Sequence, residues 1–331
     1  MDTASGPATP WDTEYRRYNL GRNRIFIELQ PCDLPEDIAE HVADIKDNPR
    51  NQNSPGLSDE DWASYLQERK ALAGGGIDTD LAELMHTWVL PQTKSSFYRT
   101  SGLECTHWVP LSPHLTPAYP SLPATARVSQ PKPDLVYGYS GSSAGKFSPF
   151  NEFQLFAQDC LDEHPGQRFV ESNIMGLQFP FFVMQLRADA GTLGSLWVSE
   201  NRCAGDSAAC LNATERLNDL LRGMNQRTVD NLVYCLAMDS RLAQLYVAWK
   251  PNRRAYRMHE IGAYRLTNVE DFRDFRRHVR NILDWGKGRR LSQIREALDV
   301  ILEAERKDLE AFGAAKDKDR ATPSISHDGS S

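Results

Sequence analysis

Two short segments decide the fold: PDLVYGY at residues 133–139 and FPFFVMQLR at residues 179–187. Both are rich in the β-branched and aromatic residues that favour strands, and the second is apolar almost throughout, which indicates a strand buried on both faces. Each segment also carries polar residues: Asp134 in the first, and Gln185 and Arg187 in the second. Because buried polar groups need partners, these three residues are expected to form either a site or a structural hydrogen-bonded network.

Helix and strand patterns surround these two segments. A helix with one apolar face is predicted to begin near Asp78, and another is predicted from Ala204 to about Met224. Further strands are predicted on both sides of an Asp239-Ser240 turn and over residues 255–266, and further helices over residues 269–283 and from Leu291 to about Phe312. This pattern predicts an α/β protein with a central mixed sheet flanked by helices.

The ends of the chain differ in composition from its middle. The N-terminus is rich in Pro, Gly, Ser and Thr, and the C-terminus is polar and lacks aromatic residues, so both ends are predicted to be disordered. Two capped helix starts indicate peripheral helices ahead of the core domain. The predicted divisions are a disordered N-terminus at 1–20, peripheral helices at 21–77, the core domain at 78–285, a C-terminal helix at 286–313 and a disordered tail at 314–331.

Composition restricts the class of protein. With 40% hydrophobic and 25% charged residues in 331, the chain has ordinary globular composition. Its apolar runs fall short of the roughly 20 residues that a bilayer span needs, and its first residues lack the pattern of a secretory signal. Six cysteines without a C-x-x-C pair argue against a zinc site and a dense disulfide framework. We therefore expect a soluble intracellular protein, nuclear or cytoplasmic, without a membrane partner.

Charge is unevenly distributed along the chain. The net charge is −7, yet residues 250–290 contain twelve Lys or Arg against five acids. Such a block can bind the phosphates of DNA or RNA, and it is equally typical of a solvated helix face. The candidate nucleic-acid-binding residues are Arg253, Arg254 and Arg257.

The order of elements, together with the two strand segments and LWVSENRCAGDSAACLN at residues 196–212, resembles a family of uncharacterised fungal PD-(D/E)XK nuclease-like proteins. The resemblance covers roughly residues 78–285 and implies a restriction-endonuclease-like core. It also implies phosphodiester hydrolysis with Mg²⁺ as the cofactor, because a divalent cation orients water and neutralises charge on the phosphate. An Asp on the first strand and a Glu on the second would bind the metal, and a Lys two residues later would stabilise the attacking water or the developing charge.

Two of these three catalytic positions are substituted. Asp134 matches the expected Asp, whereas Gln185 stands where Glu is expected and Arg187 where Lys is expected. A Gln carbonyl can ligate a metal but contributes no negative charge, so the affinity for Mg²⁺ should fall. Arg stays protonated, so it can stabilise charge but cannot act as a base. Asp134 and Gln185 remain the candidate metal ligands.

A displaced carboxylate could compensate for the missing Glu. Asp189 shares the strand face of Gln185 if the strand is regular, and Glu200 lies just beyond it in the sequence. On the helix that opens the core domain, Asp80 or Glu83 could supply a further acid. The alternative for each helix acid, a capping or solvated role, is favoured over a role in the site.

Three classes of function follow from this pattern. The favoured one is a nuclease-derived pseudoenzyme of reduced or absent activity that still binds nucleic acid. The second is an active Mg²⁺-dependent nuclease that uses a displaced carboxylate. The third is a non-catalytic protein-interaction scaffold, since a fold does not fix a function.

Overall fold

The computed structural model describes residues 8–28, 34–49, 57–72, 76–90, 103–119, 121–141, 148–161, 171–188 and 195–321. Within these ranges the chain forms a seven-stranded mixed sheet with helices on both faces. The strands are β1 (Ile25–Glu28), β2 (Leu103–His107), β3 (Leu135–Ser140), β4 (Leu177–Arg187), β5 (Leu232–Asp239), β6 (Leu242–Asn252) and β7 (Ala255–Arg265). The α-helices are α1 (Glu36–Asp47), α2 (Asp59–Leu72), α3 (Asp78–Leu84), α4 (Glu152–Leu161), α5 (Ser195–Gly223), α6 (Val269–Trp285) and α7 (Leu291–Ala321).

The strands follow the order β1-β7-β6-β5-β4-β3-β2 across the sheet. Strands β2, β3 and β4 are successive antiparallel neighbours, and β5 pairs in parallel with β4. A parallel pair needs a long crossover connection, and α5 lies in that connection. Strands β6 and β7 extend the sheet in antiparallel pairs, and β1 adds a parallel edge strand beside β7.

The two faces of β4 bury side chains of different size. Phe182 and Met184 point into the larger hydrophobic cluster, whereas Val183 points toward α5. Helix α5 meets the sheet through small residues, including Ala204 and Ala208. Small side chains let a helix approach a sheet closely at full packing density, which explains why one long helix covers this face.

The opposite face of the sheet is covered by several helices, and α6 shows how they are built. Its Asn268 N-cap accepts hydrogen bonds from the next backbone N–H groups, which satisfies donors that the helix leaves unpaired. Phe272, Phe275 and Val279 then recur at helical spacing and are fully buried in the larger cluster. The alternating strand and helix patterns of the sequence are thus confirmed as an α/β protein with a mixed sheet.

The predicted disorder of the whole N-terminus is wrong from residue 8 onward. Tyr15 and Leu20 are buried in the cluster beneath α5, and a short helical turn forms over Arg16–Leu20. Asn19 donates to the carbonyls of Thr125 and Arg127. These anchors have no apolar period in the sequence, because they pack individually against other segments instead of along one regular face.

Three further boundaries differ from the sequence prediction. The region 21–77 contributes β1 to the sheet as well as peripheral helices. The sequence does not reveal this strand, because four residues are too few to show alternation. Helix α5 begins at Ser195 and not at Ala204. Helix α7 continues to Ala321, so the predicted tail from 314 is helical up to that residue, and 322–331 lie outside the described residues.

A membrane span would need a long and strongly apolar helix. No helix within the described ranges meets that requirement.

Candidate functional site

The candidate site lies where β3 begins and β4 ends, at one end of the sheet. Asp134 immediately precedes β3, and its backbone N–H donates to the carbonyl of Met184 at 3.0 Å. Its Oδ2 accepts a hydrogen bond from the N–H of Leu186 at 2.7 Å. Leu186 lies between Gln185 and Arg187 on β4, so this hydrogen bond places the Asp134 carboxylate beside that part of the strand. The structure therefore brings the three sequence-predicted residues into one region.

Gln185 is fully buried and faces α5. Its Nε2 donates to Oδ2 of Asp206 at 2.6 Å and to the carbonyl of Lys132 at 3.1 Å. Oδ1 of Asp206 accepts from the N–H of Lys132 at 3.1 Å. Among the described residues, Oε1 of Gln185 has no hydrogen-bond partner. The position where the resemblance implies a catalytic Glu thus forms a buried amide–carboxyl pair with a helix residue.

Arg187 is held by the first residue of α3. Its guanidinium Nη1 lies 2.7 Å from Oδ2 of Asp78, and Oδ1 of Asp78 accepts from the N–H of Ala188 at 2.8 Å. The ring of Trp11 lies 5.5 Å from the guanidinium carbon, within cation–π range. Both oxygens of the Asp78 carboxylate are therefore engaged, and Arg187 is fixed in place rather than free in solvent.

Burial dominates the electrostatics of the site. It raises the pKa of Asp134, while the hydrogen bond from Leu186 and the charge of Arg187 lower it. Burial likewise raises the pKa of Asp206 to about 7, and the neighbouring Asp134 charge acts in the same direction. Burial and the charge of Arg187 lower the pKa of Arg202 on α5. A carboxyl group with a pKa near 7, such as Asp206, can gain or lose its proton at physiological pH.

The two predicted compensating acids that lie within the described residues, Glu83 and Glu200, do not join this region. Glu200 accepts a hydrogen bond from the hydroxyl of Tyr246 at 3.1 Å and forms an ion pair with Arg16, so it belongs to a separate cluster. Glu83 is exposed on α3. Asp189 lies outside the described residues.

Asp80, the other helix acid, acts as a cap. Its side chain accepts from the N–H of Ile77 at 2.9 Å, which satisfies a donor at the start of α3. Asp80 was predicted to be either an acid of the site or a capping or solvated acid, and the structure shows that it caps the helix.

The donor set fits Mg²⁺ poorly. Among the described residues there is no group of three or more His, Cys, Asp and Glu side chains that could hold a metal ion. Mg²⁺ prefers octahedral oxygen coordination with one or two carboxylates, whereas Asp134 is bound to a backbone N–H and Asp78 to a guanidinium. The positive charges of Arg187 and Arg202 also disfavour a cation here. The predicted ligand pair, Asp134 and Gln185, supplies one carboxylate and one amide, and the described residues complete no metal site around it.

The candidate nucleic-acid-binding arginines lie elsewhere, at the β6–β7 hairpin. Arg253 forms an ion pair with Asp219 at 2.9 Å, and Arg257 forms one with Glu28. Arg254 is exposed at the hairpin turn. Two of the three cations therefore already have a carboxylate partner.

The pairing register places this hairpin far from Asp134. Arg187 is level with Asp239 at the end of β5, whereas Leu232 at its start is level with Trp249, just before the hairpin. Seven residues of strand at about 3.3 Å each separate the two levels by roughly 23 Å. The structure does not bring the candidate binding set and the candidate catalytic set together.

Sequence reasoning missed two carboxylates of the site. The sequence identifies Asp78 only as a helix start. Asp78, Asp80 and Glu83 are closely spaced, and the orientation of the helix decides which of them faces the sheet. Asp206 had a detectable signal: it is a single acid among the small residues Ala204, Ser207 and Ala208. An acid on a helix face built for close packing indicates a buried carboxyl with a specific partner.

The chain belongs to the family described as "Domain of unknown function (DUF7924)", whose model matches residues 77–298. The match begins one residue before α3 and ends within α7, so it includes Asp78, Asp134, Gln185 and Asp206. No curated protein matches this chain.

Proposed function

We propose that this protein is a PD-(D/E)XK nuclease-like protein whose catalytic motif is substituted, which hydrolyses phosphodiesters weakly or not at all and which retains binding to DNA or RNA. The succession of α3, β3, β4, α5 and β5 supports a restriction-endonuclease-like core, because it follows the order of elements that carries the resemblance. The convergence of Asp134, Gln185 and Arg187 at one end of the sheet supports descent from a catalytic site.

The ion pair between Arg187 and Asp78 carries the proposal of weak or absent hydrolysis. In a metal-dependent site, carboxylate oxygens must be free to bind the cation. Here a guanidinium binds the Asp78 carboxylate, and Gln185 supplies an amide where a charge is needed. A guanidinium has only N–H donors and no acceptor, so Arg187 cannot act as a base toward water.

A cleavage panel tests this proposal. Single- and double-stranded DNA and RNA would be incubated with wild-type protein and with Asp134→Ala, in Mg²⁺ and in Mn²⁺. We expect no turnover that depends on Asp134. Robust wild-type cleavage that Asp134→Ala abolishes would contradict the proposal. Asp134→Asn, which keeps an acceptor for the N–H of Leu186, is the control for loss of folding.

Nucleic-acid binding is tested separately, because it does not require catalysis. Fluorescence anisotropy with the same four substrates should show binding that weakens steeply as salt rises, since phosphate contacts release counterions. Absence of binding to all four at low salt would contradict this half of the proposal and favour the scaffold function.

An active nuclease is the second candidate, and the contact between Gln185 and Asp206 favours it. Oδ2 of Asp206 on α5 lies 2.6 Å from the Gln185 amide nitrogen, which supports Asp206 as a carboxylate that replaces the missing Glu. Its raised pKa keeps it largely protonated below about pH 7, and a protonated carboxyl binds cations poorly. Cleavage that increases above neutral pH and disappears in Asp206→Asn would establish this candidate.

A further inference from the structure

The N-terminal segment carries aromatic side chains on the surface of the molecule. Trp11 is 49% exposed and Tyr18 is 43% exposed, and Tyr119, which lies against the same segment, is half-buried. Each ring has an arginine guanidinium within cation–π range: Arg187 at 5.5 Å from Trp11, Arg22 at 4.6 Å from Tyr18, and Arg24 at 5.3 Å from Tyr119. Three accessible rings along one segment, each paired with a cation, are a candidate interaction surface.

These pairs extend from the candidate site to the β6–β7 hairpin. Trp11 lies at the candidate site, beside the arginine that ends β4. Arg24 lies at the other end, because its partner Tyr119 donates a hydroxyl hydrogen bond to the carbonyl of Arg254 in the hairpin at 2.7 Å. The segment therefore connects two regions whose levels along the strands differ by roughly 23 Å. We call this surface the N-terminal track and define it as Trp11, Tyr18, Arg22, Arg24, Tyr119 and Arg254.

Positive charge on the track is not balanced by acids. Arg22, Arg24 and Arg254 are exposed, and none of them forms an ion pair within the described part of the chain. The two acids between Trp11 and Tyr18 bond within the segment: Glu14 lies 3.9 Å from an arginine three residues later, and Asp12 accepts from a threonine hydroxyl three residues earlier at 2.9 Å. Three unpaired cations thus exceed the one acid, Asp12, that has no cationic partner there.

Buried and polar anchors hold the backbone of the track in place. The carbonyl of Pro10 accepts from Nδ2 of Asn201 at 2.8 Å, and Nε of Arg16 donates to Oδ1 of the same residue at 2.6 Å. The buried Tyr15 accepts the N–H of Ser129 on its hydroxyl at 3.0 Å. A surface that is ordered before its ligand arrives loses less conformational entropy on binding.

A single strand of nucleic acid presents the two groups that this surface can bind. Its unpaired bases can stack on exposed aromatic rings, and its phosphates can bind arginine guanidinium groups. A duplex buries the faces of its bases between neighbouring base pairs, so it offers phosphates without accessible planar faces. An acidic peptide likewise offers carboxylates without the repeating planar groups.

We propose that the N-terminal track binds single-stranded DNA or RNA and directs it toward the candidate site. The phosphates contact Arg22, Arg24 and Arg254, and bases stack on Tyr18 and Trp11. This inference rests on the nucleic-acid binding proposed above, and it specifies the surface and the strandedness of the ligand.

Fluorescence anisotropy on the full chain tests the ligand class. The probes are labelled single strands of DNA and RNA, the matching duplexes and a labelled polyglutamate of similar charge. Single strands should bind about tenfold or more tighter than duplexes and polyglutamate, because only single strands allow stacking. The DNA and RNA arms show which of the two single strands binds more tightly.

Charge reversal tests the phosphate contacts. The double variant Arg22→Glu/Arg24→Glu should weaken single-strand binding about tenfold or more and flatten its salt dependence. The matched control is Arg273→Glu/Arg306→Glu, which changes the net charge equally at exposed arginines of α6 and α7. The control should retain the affinity and the salt slope of wild type.

Substitution of an exposed ring tests stacking separately from charge. Tyr18→Ala should weaken single-strand binding about fivefold or more without changing the salt slope, and Tyr18→Phe, which keeps the ring, should bind like wild type. Wild-type binding that neither Arg22→Glu/Arg24→Glu nor Tyr18→Ala changes would overturn the track and leave the proposed nucleic-acid binding in place. Equal affinity for single strands and duplexes, or for polyglutamate, would also overturn it. Absence of wild-type binding to every nucleic acid would instead contradict the proposed binding function together with the track.

Discussion

The buried carboxyl of Asp206 should make the stability of this protein depend on pH. Burial raises its pKa to about 7 from an ordinary value of 3.8. A carboxyl whose pKa is higher in the folded protein than in the unfolded chain binds its proton more tightly in the folded state. Its contribution to stability is therefore fully present below about pH 4 and is lost as the pH rises through about 7.

The Asp206→Asn variant removes this titration. One pKa unit corresponds to about 1.4 kcal/mol, so the wild type should lose roughly 4 kcal/mol at most across the window. Relative to wild type, the unfolding free energy of the variant should rise by about 1 kcal/mol per pH unit between about pH 5 and 7. A constant cost of about 1–3 kcal/mol is added, because Asn offers one acceptor oxygen to the two donors from Gln185 and Lys132.

Urea unfolding followed by tryptophan fluorescence at about pH 5, 6 and 7 measures this difference. Glu83→Gln is the matched control, because Glu83 is exposed on α3. A difference between Asp206→Asn and wild type that stays constant with pH, or that changes in the opposite direction, would refute the raised pKa. Such a result would mean that Asp206 is ionised and stabilised as a charge in the folded protein.

Two further predictions concern the arginines. Arg280→Ala should cost about 2–3 kcal/mol of unfolding free energy, because the buried Arg280 guanidinium donates to the carbonyl of Val89. The control is Arg273→Ala, on the exposed side of the same helix, which should cost no more than about 0.5 kcal/mol in the same urea assay. Equal losses would contradict this assignment. Arg254→Glu should weaken nucleic-acid binding and flatten its salt dependence more than Arg257→Glu does, since Arg257 already has a carboxylate partner. If the salt slope of Arg254→Glu in fluorescence anisotropy equals that of wild type, the hairpin is ordinary surface.

The proximity of Asp134, Gln185 and Arg187 could be predicted from the sequence. Strand alternation puts residues 185 and 187 on one face, and an acid that opens the neighbouring strand lies at the same end if the two strands are antiparallel. The partners of these residues could not be predicted in the same way. Asp78 and Asp206 reach the site from helices, so their contacts depend on how each helix is rotated and docked.

The N-terminal segment shows a second limit of sequence reasoning. Residues 8–20 have a composition typical of disorder, yet Tyr15 is buried and Arg16 bonds to Glu200 and Asn201. These contacts are long-range and individually placed, so no local period reveals them. The longer elements were predicted well, because β5, β6 and α6 carry many residues of one regular pattern.

Mn²⁺ binding to the wild type and to the Gln185→Glu/Arg187→Lys variant tests the central claim most directly. The double variant adds a negative charge beside Asp134 and replaces the guanidinium that engages Asp78. Calorimetric titration at about pH 8, above the pKa of about 7 of wild-type Asp206, should show weak or no binding by wild type and at least tenfold tighter binding by the variant, a gain of about 1.4 kcal/mol. Adding Asp134→Ala to the double variant should remove the gain. Tight wild-type binding that Asp134→Ala abolishes would contradict a degraded metal site.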